Sequence, residues 1–165
     1  MSSARNALFT TILALVISNP AIRAQGLVTE RNLSLHLAKT MAEATLAACQ
    51  EKGFHTSAVV VDRAGQVLVM LRDEKATAQT AEMARRKAYT ARMFRSTTLE
   101  FQKRTAADPT LLPQRDVADI LALGGGVPIQ VGNETIGGIA SSGANQEMDD
   151  ACAKAGVAKV ADLLK

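Results

Sequence analysis

The chain has 165 residues with 19 basic and 16 acidic side chains, a length that suits one domain with a self-sufficient core. Hydrophobic residues at 47% and charged residues at 21% exclude disordered and collagen-like classes, and aromatics at 3% leave little with which to stack nucleobases. Outside residues 1–24, which carry Arg5 and Arg23 and no acid, basic and acidic groups nearly balance, so no strong field for nucleic acid or anionic membrane is expected.

Met1 to Arg5 is short and positive, and Ala7 to Ile17 is apolar apart from Thr10 and Thr11. Ser18-Asn19-Pro20 then breaks a helix, and Ala24 offers a small residue at a cleavage position. This order predicts a signal peptide over 1–24, cut near Ala24–Gln25, a single domain over 25–165, and a periplasmic or secreted location. The apolar run falls well short of the roughly 20 residues a bilayer requires, so no stable membrane insertion is expected.

Leu33 to Lys52 reads as a helix, with Leu33, Leu37, Met41, Ala44 and Ala48 on one face and Gly53 as its stop. Thr56 to Asp62 contains Ala58-Val59-Val60-Val61, the pattern of a strand buried on both faces. Arg63-Ala64-Gly65-Gln66 supplies a turn and Val67 to Arg72 a return strand, making a hairpin. Thr77 to Phe94 is helical, with Ala81, Ala84, Ala88 and Ala91 on a stripe that lets a neighbouring backbone approach closely. Ser96 or Thr97 caps a short helix through Phe101 to Arg104, Ala106 to Arg115 reads as a loop, and Asp116 to Leu123 as a weak helix or extended segment.

Gly124-Gly125-Gly126 leads into a strand over Val127–Val131, where Pro128 favours an edge position. Gly132-Asn133-Glu134 turns the chain into a second strand, Thr135 to Ser141. Ser142-Gly143-Ala144-Asn145 opens a last helix, Gln146 to Leu164, whose early Glu147, Asp149 and Asp150 complement its dipole. The element order predicts an α+β fold: an antiparallel sheet built from two hairpins, with helices packed on it. Cys49 and Cys152 each lie on an Ala-rich helical stretch. The preferred reading is two free, buried thiols behaving as small hydrophobes, although a bridge is open to them if their helices are neighbours.

The chemical inventory is thin: no H-E-x-x-H, G-x-S-x-G or Walker sequence occurs. Gly124, Gly125 and Gly126 serve either as a tight entrance to a hairpin or as a bare backbone surface for a flat ligand or an oxyanion. Ser142 and Gly143 offer a second place for backbone N–H groups to face an anion, against the acids that follow. Arg85, Arg86, Lys87, Arg92 and Arg95 form either a solvated helix face or a cluster that receives carboxylates, such as haem propionates or a small organic acid.

Val59 through Gly65 with Leu68 and Arg72, then Lys87-Ala88-Tyr89-Thr90-Ala91 with Phe94, and finally Gly124 to Ile129 with Val131-Gly132, Ile136 to Ile139 and Ser141-Ser142-Gly143, together resemble the GlcG/HbpS family of haem-binding proteins. Asp149 or Asp150 matches the acid of that family's last helix. The resemblance covers residues 33–164. Arg72-Asp73-Glu74 stands where the family often has Arg-Met-Asp, and Ala64 replaces one turn Gly. The resemblance implies an α/β sandwich of profilin-like appearance, a homo-oligomer, and kinship with the C-terminal domain of PduO-type corrinoid adenosyltransferases. It also implies haem as cofactor, in an exported haem-binding, haem-sensing or storage protein without turnover. The alternatives are an enzyme or accessory protein acting on a small carboxylate, and a structural or partner-binding module. Histidine is the commonest strong axial donor to haem iron, so His36 is the first candidate and His55 the second, with Tyr89 and the methionines as fallbacks. Arg85, Lys87 and Arg92 are the candidates to neutralise propionates, and Gly124–Gly126, Ser142 and Gly143 to line the ligand.

Overall fold

Val59, Val60 and Val61 are fully buried because the strand that holds them is covered on both faces. This strand, β1 (Ser57–Val61), pairs antiparallel with β2 (Val67–Arg72) on one side and with β4 (Glu134–Ser142) on the other. β3 (Gly126–Val131) completes the sheet in the order β2-β1-β4-β3. All the pairings are antiparallel and come from two hairpins, the α+β arrangement expected. The computed structural model describes Gly26 and residues 28–165, so the predicted signal peptide and its cleavage point lie outside the described residues. Arg31–Lys165 make up one compact unit.

The period-2 alternation of β1 divides the core. Ala58 and Val60 join Ile129, Ile136 and Ile139 under α1 (Leu35–Gln50) and α4 (Gln146–Ala158), where Met41 and Ala153 pack. Val59 and Val61 turn the other way, onto Ala84 and Ala88 of α2 (Gln79–Phe94). The result is a sandwich with α1 and α4 on one face of the sheet and α2 on the other. Pro128 sits on the edge strand β3, where its missing N–H breaks no central ladder.

Caps explain where helices depart from their predicted spans. The Ser34 hydroxyl accepts the Leu37 N–H, so α1 begins at Leu35 and Leu33 is left to pack into the core from outside the helix. Thr97 and Glu100 form a capping box that starts α3 (Thr98–Ala107). The predicted loop at 106–115 contains a 3₁₀ helix, Pro109–Arg115, because the Asp108 carboxylate caps Thr110 and Pro109 presets the first turn. Residues 116–123, read from sequence as a weak helix or extended segment, form bends and a turn at 118–119 with no helix or strand. The last helix ends at Ala158, short of Leu164, and a 3₁₀ turn follows at Ala161–Leu163.

The alanine stripe has the expected effect. Ala84, Ala88 and Ala91 are fully buried, and β4 comes so close that a Cβ on Gly138 would collide with the Ala88 carbonyl oxygen. On the opposite face, Gly156 of α4 lies against the Thr45 hydroxyl and the Met41 carbonyl of α1. That approach corrects the reading of the cysteines: Cys49 and Cys152 form a disulfide, with Cα atoms 5.5 Å apart. Sequence alone did not show the two helices to be neighbours.

Candidate functional site

The antiparallel topology gives the sandwich two distinct ends. At one end β1 begins, α2 begins and α1 finishes: Ser57 Oγ lies 2.7 Å from Thr80 Oγ1, and the Gln50 carboxamide donates to Asp73 at 2.9 Å. The opposite end holds both hairpin turns, the chain leading into α1 and the last turn of α2. Each end carries a cleft.

At the hairpin end, a cleft of about 570 Å³ is bordered by Arg31, Arg63, Arg92, Arg95, Glu134 and Thr135. Arg31 comes from the segment before α1, Arg63 from the first hairpin turn, and Arg92 and Arg95 from the end of α2. Arg95 has left-handed backbone (φ 55°) as the residue that terminates α2. Arg63 donates to the Arg31 carbonyl at 3.1 Å and pairs with Glu134, whose pKa this guanidinium holds below the usual carboxylate range. Four arginines thus line one cleft, a residue type suited to planar, bidentate recognition of anions.

The other end holds a buried ion pair. Lys87 Nζ donates to Asp149 Oδ2 at 2.9 Å and to the Ser141 carbonyl at 3.2 Å. Asp149 Oδ1 accepts from the Ser141 hydroxyl at 3.1 Å and from the Ala144 N–H at 3.2 Å. The two side chains are 3% and 2% exposed. Burial pushes the Lys87 pKa below the usual lysine range, against the pull of Asp149. The pair lines a small cleft of about 200 Å³ with Met83, Leu123, Gly143 and Gln146.

The triple glycine is built around this pair. Gly125 has φ 120°, and a Cβ there would sit 2.6 Å from the Ser141 carbonyl oxygen and 3.1 Å from Lys87 Nζ. A Cβ on Gly126 would meet the Lys87 carbonyl oxygen. The Gly124 N–H is taken by the Gln146 side chain and the Gly126 N–H by the Thr98 hydroxyl, both at 2.8 Å. Close packing on α2 therefore accounts for Gly126, and packing on Ser141, Asp149 and the Lys87 ammonium for Gly125.

The structure divides the predicted residues. Lys87, Ser142 and Gly143 converge on the smaller cleft, with Gly124 and Gly125 behind it. Arg92 lines the larger one. Arg85 joins neither: it chelates Glu82 at 2.7 Å and reaches Asp119 at 2.6 Å, and those carboxylates raise its pKa further. His36 is exposed on the first turn of α1, at the hairpin end. His55 lies at the other end, its Nδ1 2.9 Å from Asp73 Oδ2. Hydrogen bonds from Gln50, His55 and the Lys75 N–H hold the Asp73 carboxyl well below the usual carboxylate range. Arg31, Arg63, Glu134 and Ser141 went unrecognised as site residues, since only the meeting of separate chain segments assembles them. Among the described residues, no cluster of three His, Cys, Asp or Glu side chains is placed to hold a metal ion, and no helix is long and apolar enough to cross a membrane.

Comparison with known proteins is consistent along the chain. The family profile described as "Haem degrading protein HbpS-like" matches residues 33–158. A double mutant of HbpS from Streptomyces reticuli superposes with a TM-score of 0.78 at 35% identity, covering 86% of this chain and 95% of that one. The PduOC:haem complex superposes with a TM-score of 0.70 at 26% identity, covering 77% and 94%. An uncharacterised 15.0 kDa protein from the dhaT–dhaS intergenic region of Citrobacter freundii is 31% identical over 119 residues, which is 71% of this chain and 84% of that protein.

Proposed function

The chain belongs to the HbpS-like family, and from that premise we propose that it is an exported haem-binding protein that holds its ligand in the arginine-lined cleft without turning it over. The observation that carries this reading is the convergence of Arg31, Arg63, Arg92 and Arg95 on one cleft of about 570 Å³. That volume lies within the roughly 300–1,000 Å³ of small-molecule and cofactor sites. The residues fit the group. Haem carries two carboxylates on one edge, and the cleft is lined by four arginines, Arg31, Arg63, Arg92 and Arg95.

Within this reading the propionate role shifts along α2. Lys87 pairs with Asp149 at the other end of the sandwich and Arg85 with Glu82 and Asp119 outside both clefts, whereas Arg92 lines the arginine cleft with Arg95 one turn beyond it, and these two take the propionate role. Each charge-assisted hydrogen bond contributes about 1.5–3 kcal/mol. When bound, haem supplies an iron that takes a strong axial donor. We assign that role to His36, which shares the hairpin end with the cleft. His55 stands at the far end of β1, about 20 Å away at the rise of an extended strand.

A Soret titration of the wild type with Arg92→Ala, Arg95→Ala, His36→Ala and His55→Ala variants tests the assignment. The wild type shifts the band stably. The arginine variants weaken affinity about tenfold or more, His36→Ala changes the bound spectrum, and His55→Ala changes neither. An unshifted wild-type band moves the assignment to a small carboxylate in the same cleft, and progressive bleaching contradicts a role without turnover.

Export and assembly belong to the same proposal. The positive–apolar–breaker order of residues 1–24 and the Cys49–Cys152 bridge both suit an oxidising compartment. Half-exposed Val67 and Met70 on the edge strand β2, with Met93 on α2, leave apolar surface for a second copy to cover. Protein recovered from its native envelope should begin near Gln25 by intact mass and scatter light as several subunits. A chain retaining Met1, or a monomer mass across a dilution series, removes the corresponding half.

A further inference from the structure

The haem reading leaves Lys87 unused. Burying an ammonium and a carboxylate together is expensive. Here the pair forms the polar wall of a cleft whose rim carries exposed Gly143. Two of the three Lys87 donors go to Asp149 and the Ser141 carbonyl, which leaves the third. Gln146 uses its amide oxygen on the Gly124 N–H, and its NH₂ group has no partner among the described residues. At about 30 Å³ for a water-sized group, the cleft holds roughly six non-hydrogen atoms. Met83 and Leu123 supply an apolar wall for a short carbon chain.

We propose that this cleft is a second site, separate from the arginine cleft, in which Lys87 condenses with a small aldehyde or ketone to form an imine. The Lys87–Asp149 pair carries no net charge, so the site favours an uncharged carbonyl group. The ammonium passes a proton to Asp149, 2.9 Å away, and becomes a free amine. Its lone pair forms the C–N bond to the carbonyl carbon as the π pair moves to oxygen, which takes a proton from the newly bonded nitrogen to give a neutral carbinolamine. Loss of that oxygen as water, with a proton returned by Asp149, leaves a protonated C=N bond on Lys87. One carbonyl compound is consumed and one water released, and no oxidant or reductant takes part. The desolvation that depresses the Lys87 pKa favours the amine form that must attack.

The test is borohydride trapping of the intact protein with glyceraldehyde, a carbonyl compound of six non-hydrogen atoms, followed by peptide mass mapping. Reduced adduct should accumulate on buried Lys87 at least about tenfold faster than on exposed Lys39 and Lys154. Asp149→Asn should slow trapping at Lys87. Ala144→Leu, which adds side-chain bulk to the cleft wall and keeps the backbone N–H that Asp149 accepts, should suppress it about tenfold while leaving surface labelling and the Soret response unchanged. Adducts scattered over exposed lysines with none on Lys87, or undiminished trapping in Ala144→Leu, overturn the proposal. Because haem binding is read separately by absorbance, failure of one site is distinguishable from failure of the other.

Discussion

Removing the Cys49–Cys152 bridge as a Cys49→Ala/Cys152→Ala pair should lower stability by about 4–5 kcal/mol, the chain-entropy value for a loop of roughly 100 residues. The two positions are 103 apart in sequence, so the bridge closes most of the domain into one loop and restricts the unfolded ensemble heavily. Replacing both cysteines avoids a lone thiol. It also leaves small apolar residues at positions that are nearly or fully buried between α1 and α4, so native packing changes little. Urea unfolding should show a midpoint lowered by about 2 M, for a slope near 2 kcal/mol/M. An unchanged midpoint would mean that the bridge does not form in solution.

Breaking the Lys87–Asp149 pair should have a comparable effect by another route. Lys87→Met leaves a buried carboxylate without its counter-charge and should lose about 3–5 kcal/mol. Lys87→Met combined with Asp149→Asn should be more stable than Lys87→Met alone. The Asn oxygen can still accept from the Ser141 hydroxyl and the Ala144 N–H while the uncompensated charge is gone. Denaturant unfolding of the single and double variants decides this. If the double variant is no more stable than Lys87→Met, the loss comes from packing on α2 and not from charge.

These two effects also mark the boundary of what sequence could reveal. Local signals were legible wherever a short-range rule decides the structure. The continuous Val59-Val60-Val61 run marked the central strand, Pro128 the edge, Arg63–Gln66 a hairpin turn, and the alanine stripe the face on which β4 presses. Spans slipped where a side chain intervenes, as Ser34 does at the start of α1 and Asp108 does in the predicted loop. The disulfide was misread because the α1–α4 contact depends on the whole sandwich.

The sites follow the same division. Lys87 and Ser141 both stood in motifs of the resemblance, but the Asp149 partner of Lys87 lies 62 residues away in α4, and only the fold brings the three together. Arg85 and Arg92 look alike seven residues apart on one helix. Only the fold shows that Arg85 turns to Glu82 and Asp119 while Arg92 lines the cleft. Arg63 and Glu134 are turn residues in sequence, and they become one side of a cleft because antiparallel pairing brings both hairpin turns to the same end of the sheet.

The central claim is that the arginine cleft at the hairpin end is the haem site. Anomalous scattering at the iron edge from crystals of the haem-loaded protein tests it most directly, because it locates the metal without assumption about its ligands. A single iron position is expected at the hairpin end, next to the cleft formed by Arg31, Arg63, Arg92 and Arg95 and within bonding reach of His36. An iron peak beside Lys87 or His55 at the opposite end of the sandwich would contradict it.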